Sequence, residues 1–230
     1  MTRLQLYFSP GTSARIPLIA LEECAVPFET VLVKFAAGEH KSPEYLRVNP
    51  KGKVPTLLVD GRPLTENIAI LGFLARSFPS ARLLPLTGDA WSEAQVYADL
   101  SWCASTIHPI VTRIVLPMLF CDHPQGMRRA WEQAVAAIRI PFDLIEQRLQ
   151  TRPWMLGAYS LVDAFVYWIW DQATIGGFSG SAYPRIGEHA ARVAQRPAVQ
   201  RALARERDAF AWLEQNGLGV RLPPPPRAPG

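Results

Sequence analysis

The sequence contains few cysteines, no cluster of basic residues and no long apolar run. Its three cysteines, Cys24, Cys103 and Cys121, are far apart in a chain of 230 residues and form no CxxC pair. Disulfide frameworks and structural zinc sites need cysteines in closely spaced pairs, so this pattern argues against both. Unpaired cysteines are typical of a reducing compartment. We therefore expect a cytoplasmic protein without a metal site.

The charge of the chain is small and scattered. Its 24 Lys and Arg against 20 Asp and Glu give a net charge of +4, without the basic patch and stacked aromatic residues of a nucleic-acid binder. No apolar run approaches the roughly 18 residues of a membrane span, and the N-terminal residues lack the apolar core of a signal peptide. With 49% hydrophobic residues, the chain can still bury a sizeable core. We expect neither nucleic acid nor a membrane as a partner.

Residues 1–78 alternate between strand and helix patterns. The order is a strand, a helix, a second strand, a hairpin at Asp60-Gly61 and a further helix that begins near Asn67. The predicted elements are 3–8, 14–25, 28–34, 57–59 with the strand that follows it, and 67–78. This βαβ-ββα order predicts an α/β, thioredoxin-like N-terminal domain.

After a predicted linker at 79–88, the pattern is helical throughout. We expect an all-α C-terminal domain at 89–216, with a long first helix that is kinked at Pro109. Ser160 and Asp163 have the spacing of a capping box, and the apolar run after them predicts a buried central helix. The proline-rich residues 217–230 are expected to be extended.

Two short stretches in the first domain combine into a binding site for a peptide-like ligand. Proline tolerates a cis bond, and a cis Val54-Pro55 bond would turn the Val54 N–H and C=O outward to pair with an extended peptide. The helix start at Glu66-Asn67 presents N–H groups to a carboxylate, and the Glu66 side chain can accept from an ammonium group. Each stretch alone has an ordinary structural explanation, as a strand entry or a helix cap.

Together, in this order behind a βαβ unit, they resemble the glutathione site of cytosolic glutathione transferases of the bacterial beta- or theta-like type. The resemblance covers nearly the whole chain. It implies a homodimer whose first domain binds glutathione as co-substrate and stabilises its thiolate. The thiolate would attack a hydrophobic electrophilic small molecule, as in detoxification. The glutathione-binding residues it implies are Lys53, Val54, Pro55, Glu66 and Asn67.

The resemblance also implies a hydroxyl or thiol after the first strand that donates to the thiolate. Ser13 stands where beta-type members carry cysteine, so we take Ser13 and Thr12 as the catalytic candidates, with Ser9 as a further hydroxyl. Phe8 replaces the nearby beta-type tyrosine, and Gly11 replaces the theta-like serine. A cap of the first helix is the structural alternative for Thr12 and Ser13.

The sequence leaves open which cation binds the glycine-end carboxylate of glutathione. Lys34 and Arg15 compete with Lys53 for the glycine-end carboxylate, and each has the alternative of a solvated surface charge.

In the second domain, Trp102, Ser105 and His108 have the spacing of one helical face and form the predicted electrophile site. The alternatives to conjugation are a glutathione-dependent isomerase or dehalogenase, and a non-catalytic glutathione-binding module.

Overall fold

The computed structural model describes residues 2–219, so most of the proline-rich stretch predicted for residues 217–230 lies outside the described residues. The contacts divide the chain into two compact units. Among the described residues, one unit contains those up to Leu86 together with 195–219, and the other is Thr87–Ala194. The sequence prediction assigned every residue from 89 to 216 to the second domain, whereas the contacts group the last helix with the first unit.

A four-stranded mixed sheet forms the centre of the first unit. Its strands are β1 (Leu4–Phe8), β2 (Glu29–Leu32), β3 (Thr56–Val59) and β4 (Arg62–Thr65), in the order β2-β1-β3-β4. β1 is parallel to β2 and antiparallel to β3, which pairs antiparallel with β4. Asp60 and Gly61 have φ values of 49° and 79°, as a tight hairpin requires. The predicted βαβ-ββα order of a thioredoxin-like domain is confirmed.

Nine α-helices lie within the described residues. They are α1 (Arg15–Cys24), α2 (Pro43–Val48), α3 (Asn67–Ser77), α4 (Ala90–Ser101), α5 (His108–Val115), α6 (Pro124–Leu149), α7 (Leu161–Ile175), α8 (Pro184–Ala194) and α9 (Pro197–Gln215). None of them is both long enough and apolar enough to cross a membrane.

In the first unit, α1 contacts both α3 and α9 and is nearly completely buried. Its apolar residues face the core, but the acidic residue Glu22 is buried as well. The Glu22 carboxylate accepts from the Arg201 Nε at 2.6 Å and from the Arg205 Nε at 2.7 Å. These arginines compensate the buried charge, and they attach α9 to α1.

In the second unit, α7 is buried along most of its length, which confirms the predicted central helix. Asp163 is fully buried at its start and accepts from four groups. Its Oδ2 accepts from the Ser160 N–H at 2.8 Å and from the Ser160 Oγ at 3.0 Å. Its Oδ1 accepts from the Met155 N–H at 2.7 Å and lies 2.8 Å from the His189 Nε2. The predicted cap therefore also joins the preceding loop to α8.

The predicted long first helix of the second domain is helical over residues 90–115, and it is distorted just before Pro109. A π-helical segment, Trp102–Ile107, separates α4 from α5, and Pro109 follows directly in the first turn of α5. Proline has no N–H and its ring crowds the carbonyl four residues earlier. A wider π turn before it relieves that clash, so the chain changes its helical pitch here.

Candidate functional site

The loop after β1 carries the predicted hydroxyl groups. The Thr12 hydroxyl donates to the Ser9 C=O at 2.6 Å and accepts from the Ala14 N–H at 3.3 Å. Its proton is therefore used within the turn itself. This geometry agrees with the structural alternative for Thr12, a residue that shapes the start of α1.

Ser13 has a different environment. It is 6% exposed, and its Oγ accepts from the Asn67 Nδ2 at 3.0 Å. A serine hydroxyl can accept and donate at the same time, and no residue among 2–219 accepts the Ser13 proton. The Asn67 Oδ1 is also buried without a partner in that part of the chain. The structure thus brings together two predicted site residues that are 54 positions apart.

Glu66, the residue before α3, has a backbone conformation that is rare for a residue with a side chain. Its φ is 74°. Residues in such strained conformations need the surrounding structure to hold them in place, and they are often found at ligand sites. Its exposed carboxylate is paired with the Lys51 Nζ at 2.5 Å, and Lys51 also donates to the Thr65 Oγ1 at 3.0 Å. Lys51 was missed by the sequence analysis, which considered only the neighbouring Lys53.

The Val54-Pro55 bond is cis, as predicted. The Lys53 C=O accepts from the Tyr45 hydroxyl at 2.6 Å and from the Asn49 Nδ2 at 2.7 Å. These bonds fix the loop before Val54 because Tyr45 and Asn49 are both buried. Within residues 2–219, the Val54 N–H and C=O make no hydrogen bond. The Lys53 side chain is exposed.

Arg15 is not the surface charge considered in the sequence analysis. It is 5% exposed, and its Nε donates to the Glu206 Oε2 at 2.6 Å. Glu206, on α9, is 2% exposed, and its Oε1 accepts from the Gly11 N–H at 2.8 Å. Gly11 has a φ of 77°, which glycine adopts without strain. A carboxylate from the last helix therefore holds the loop that carries Ser13. No local pattern in the sequence indicates this contact.

The residues predicted for the electrophile site lie in the Thr87–Ala194 unit. The His108 ring meets the Trp168 ring edge-on, with centroids 4.7 Å apart. Trp102 is half-buried, while Ser105 is exposed and donates to the Ser101 C=O at 2.6 Å. Because this segment is π-helical, the spacing of three residues does not place them on one α-helical face. That part of the prediction is wrong.

The half-buried Cys24 and the buried Cys103 are unsuited to act as thiolates. Partial burial and, to a smaller extent, the nearby Glu23 carboxylate together raise the pKa of the Cys24 thiol to about 12. Burial also raises the pKa of Cys103. A reactive thiol needs a lowered pKa, so Cys24 and Cys103 remain protonated at neutral pH.

Comparison with known proteins places this geometry in a family. Residues 3–76 match the family model described as glutathione S-transferase, N-terminal domain. Glutathione S-transferase GST-4.5 of Xanthomonas campestris pv. campestris is 32% identical over 167 residues, which are 71% of this chain and 79% of the relative. Glutathione S-transferase GstA of Escherichia coli O157:H7 is 28% identical over 206 residues, which are 88% of this chain and 98% of the relative.

Solved structures agree with these relatives. The glutathione-S-transferase from Xylella fastidiosa superposes with a TM-score of 0.81 at 27% identity, over 88% of this chain and 98% of that one. A sphingomonad glutathione S-transferase complexed with glutathione gives a TM-score of 0.77 at 32% identity, with the same two coverages of 88% and 98%. The sequence, the fold and the residues around Ser13 and Asn67 lead to one conclusion: the chain belongs to the glutathione S-transferase family.

Proposed function

We propose that this chain conjugates glutathione to an apolar electrophile and that Ser13 donates a hydrogen bond to the glutathione thiolate. The observation that carries the proposal is the Ser13 hydroxyl. Asn67 holds its oxygen at 3.0 Å, and no described residue takes up its proton. The Ser13 hydroxyl proton has no acceptor among the described residues, and a thiolate could be that acceptor.

The peptide part of glutathione would be held by the residues around Val54 and α3. The unpaired N–H and C=O of Val54 suit main-chain pairing with the cysteinyl unit. The Glu66 carboxylate suits the γ-glutamyl ammonium, and the start of α3 suits its carboxylate. Lys53, exposed beside the cis Pro55, would serve the carboxylate of the glycine end. The sphingomonad relative is a structure with glutathione bound, which supports this assignment.

The chemistry needs a deprotonated thiol at neutral pH. A hydrogen bond from Ser13 stabilises the charged form of the sulfur and lowers its pKa. The thiol proton passes to water, and the thiolate forms a bond to an electrophilic carbon, which releases its leaving group with the bonding electrons. We assign contacts with the electrophile to Trp102, Ser105 and His108 of the second unit, where the His108 ring packs edge-on against Trp168.

The alternative reactions would use the same thiolate. Maleylacetoacetate isomerase of Pseudomonas aeruginosa is 29% identical over 210 residues, 87% of this chain and 94% of the relative. Transferases and isomerases both match this chain at similar identity, and no observation favours isomerisation over conjugation. A dehalogenase has no specific observation in its favour. A module that only binds glutathione would not need the available proton of Ser13.

The cellular role is proposed on the same basis. The free cysteines support a cytoplasmic location. Large apolar side chains such as Trp91 and Ile140 are exposed in the second unit, and exposed apolar surface is typical of an interface, which supports a homodimer. Conjugation of apolar electrophiles would contribute to detoxification.

The test is a titration of the thiol of bound glutathione, followed by thiolate absorbance, in the parent, Ser13→Ala and Thr12→Val. The hydroxyls are neighbours, but only that of Ser13 has an available proton, so Thr12→Val is the matched control. Ser13→Ala should raise the thiol pKa by about one unit or more, each unit being about 1.4 kcal/mol. Thr12→Val should titrate like the parent. Unchanged titration in Ser13→Ala would contradict the assignment, and absence of glutathione binding to the parent would contradict the function.

A further inference from the structure

A groove of about 360 Å³ lies in the first unit, between the edge strand β2 and helix α9. We call it the β2–α9 groove. One wall is formed by Thr30, Leu32 and Lys34, which alternate along the strand and its continuation and therefore share one face. Phe8 lies beside Leu32 in the strand register and is the last residue of β1, directly before the loop that carries Ser13.

The other wall is one face of α9. Arg205, Ala209 and Trp212 lie at helical spacings of four and three residues. Arg205 stacks on the ring of Phe28, the residue before β2, at 4.5 Å. At the other end, the Lys34 Nζ lies 5.7 Å from the centroid of the Trp212 ring. The helix and the strand therefore run in the same direction, and each end of the groove has a cation.

The chemistry of the groove is apolar in the middle and basic at the end near Trp212. Leu32, Phe8 and Ala209 supply the apolar part, and Trp212 is 42% exposed and offers a ring for stacking. Lys34 has one counter-charge, the Glu39 Oε1 at 3.4 Å. Because an ammonium group has three donors, this single long contact leaves Lys34 able to bind another anion. The exposed Asp208 adds one negative charge to the rim.

We propose that the β2–α9 groove binds the apolar part of the electrophile and that Lys34 selects electrophiles that carry a carboxylate. Trp212 stacks on an aromatic ring, and the Lys34 ammonium pairs with an acid group on that ring. This inference deepens the proposed function and rests on it, because the ligand is the second substrate of the Ser13 thiolate. It assigns a specificity role to α9, outside the residues at 102–108.

The binding test needs no turnover. Calorimetry compares 3,5-dinitrobenzoate with 1,3-dinitrobenzene, neither of which carries a chloride leaving group. Lys34→Gln should weaken binding of the carboxylate about tenfold, within the range for hydrogen bonds to charged groups, and that of the neutral compound less than twofold. Trp212→Ala should weaken both about tenfold because the stacking surface is lost. Glu214→Gln, which changes an exposed residue of the same helix, is the control and should change neither.

The turnover test uses 4-chloro-3,5-dinitrobenzoate and 1-chloro-2,4-dinitrobenzene. In each reaction the thiolate forms a C–S bond and chloride leaves with the electrons of the C–Cl bond. Lys34→Gln should raise KM about tenfold for the carboxylate alone and leave kcat and the KM for glutathione unchanged. A higher KM for glutathione with both electrophiles would assign Lys34 to glutathione and overturn the inference. Unchanged probe binding in Trp212→Ala would overturn it as well.

The two failures are distinguishable. If the parent binds the dinitrobenzoate through Lys34 and Trp212 but never turns over, the groove stands as a binding site and the proposed transferase chemistry fails. If the parent turns over both electrophiles but neither variant changes probe binding or KM, the transferase function stands and the groove is not its substrate site.

Discussion

Each of the two units contains a buried carboxylate that gathers hydrogen-bond donors, and the two carboxylates do so in different ways. Asp163 gathers Ser160, three residues before it, with Met155 and His189 in the second unit. Glu206 gathers Gly11 and Arg15, which lie 195 and 191 residues away from it. Both satisfy a buried charge with donors. The first is mainly local and helps to form a helix start, whereas the second is remote and fixes the loop of the candidate catalytic residue.

The largest effect is expected for the local carboxylate. Asp163→Ala should lower the free energy of unfolding by about 3–5 kcal/mol, because it leaves His189 and three further donors in a buried site without an acceptor. Denaturant unfolding followed by circular dichroism measures this as a lower midpoint. The exposed Asp122→Ala is the control. A midpoint equal to that of the parent would show that the buried network contributes no stability.

For Glu206, the remote carboxylate, we expect a smaller loss of stability together with an effect on the thiol of bound glutathione. Glu206→Gln keeps an acceptor for the Gly11 N–H and loses the charge opposite Arg15, so unfolding should become easier by about 1.5–3 kcal/mol. The thiol pKa of bound glutathione should also rise, since Gly11 and Arg15 flank Ser13. Glu214→Gln, exposed on the same helix, is the control.

The comparison fails if Asp163→Ala changes the thiol titration of its folded fraction as much as Glu206→Gln does. The remote contact would then have no special link to the site, and both effects would be consequences of general destabilisation.

Within the candidate site, the substitutions Glu66→Ala and Asn67→Ala distinguish binding of glutathione from lowering of its thiol pKa. Each should weaken glutathione binding by about 1.5–3 kcal/mol, the range for hydrogen bonds to charged groups. Only Asn67→Ala should also shift the thiol titration, because Asn67 holds the Ser13 Oγ at 3.0 Å. Calorimetry and thiolate absorbance measure the two effects. Parent-like binding by both variants would place the peptide site elsewhere.

The smallest effect is expected at Cys24. A pKa of about 12 keeps this thiol neutral at pH 8, so alkylation by iodoacetamide should be slow and glutathione turnover should persist after treatment. Mass spectrometry identifies the modified residue. Rapid modification of Cys24 in the folded protein would contradict the burial on which the raised pKa depends.

The sequence predicted the structural features that depend on residues close together in the chain. The succession of strands and helices in the first domain, the hairpin at Asp60-Gly61, the cis bond before Pro55 and the Ser160–Asp163 cap each follow from a few adjacent residues, and the structure contains all of them. The family resemblance, which rested on such local stretches, is confirmed by the comparisons.

The sequence could not predict contacts between distant segments. Arg15 resembled a surface charge because its partner, Glu206, is 191 residues away. Lys51 and Lys53 are indistinguishable by composition, and only the fold shows that Lys51 reaches Glu66. The sequence predicted a distortion at Pro109 but not its π-helical form, since a missing N–H allows several distortions and packing selects one of them.

The separation of 191 residues between Arg15 and Glu206 has a consequence for protein synthesis. A ribosome that adds about 5–20 residues per second needs roughly 10–40 seconds to pass from Arg15 to its partner 191 residues later. From the addition of Thr65 onward, the nascent chain contains all four strands and Ser13 but not yet the carboxylate that fixes their loop. A polypeptide that is released before α9 therefore has the complete sheet and an unsupported Ser13 loop, so completion of α9 sets the moment at which the candidate site is assembled.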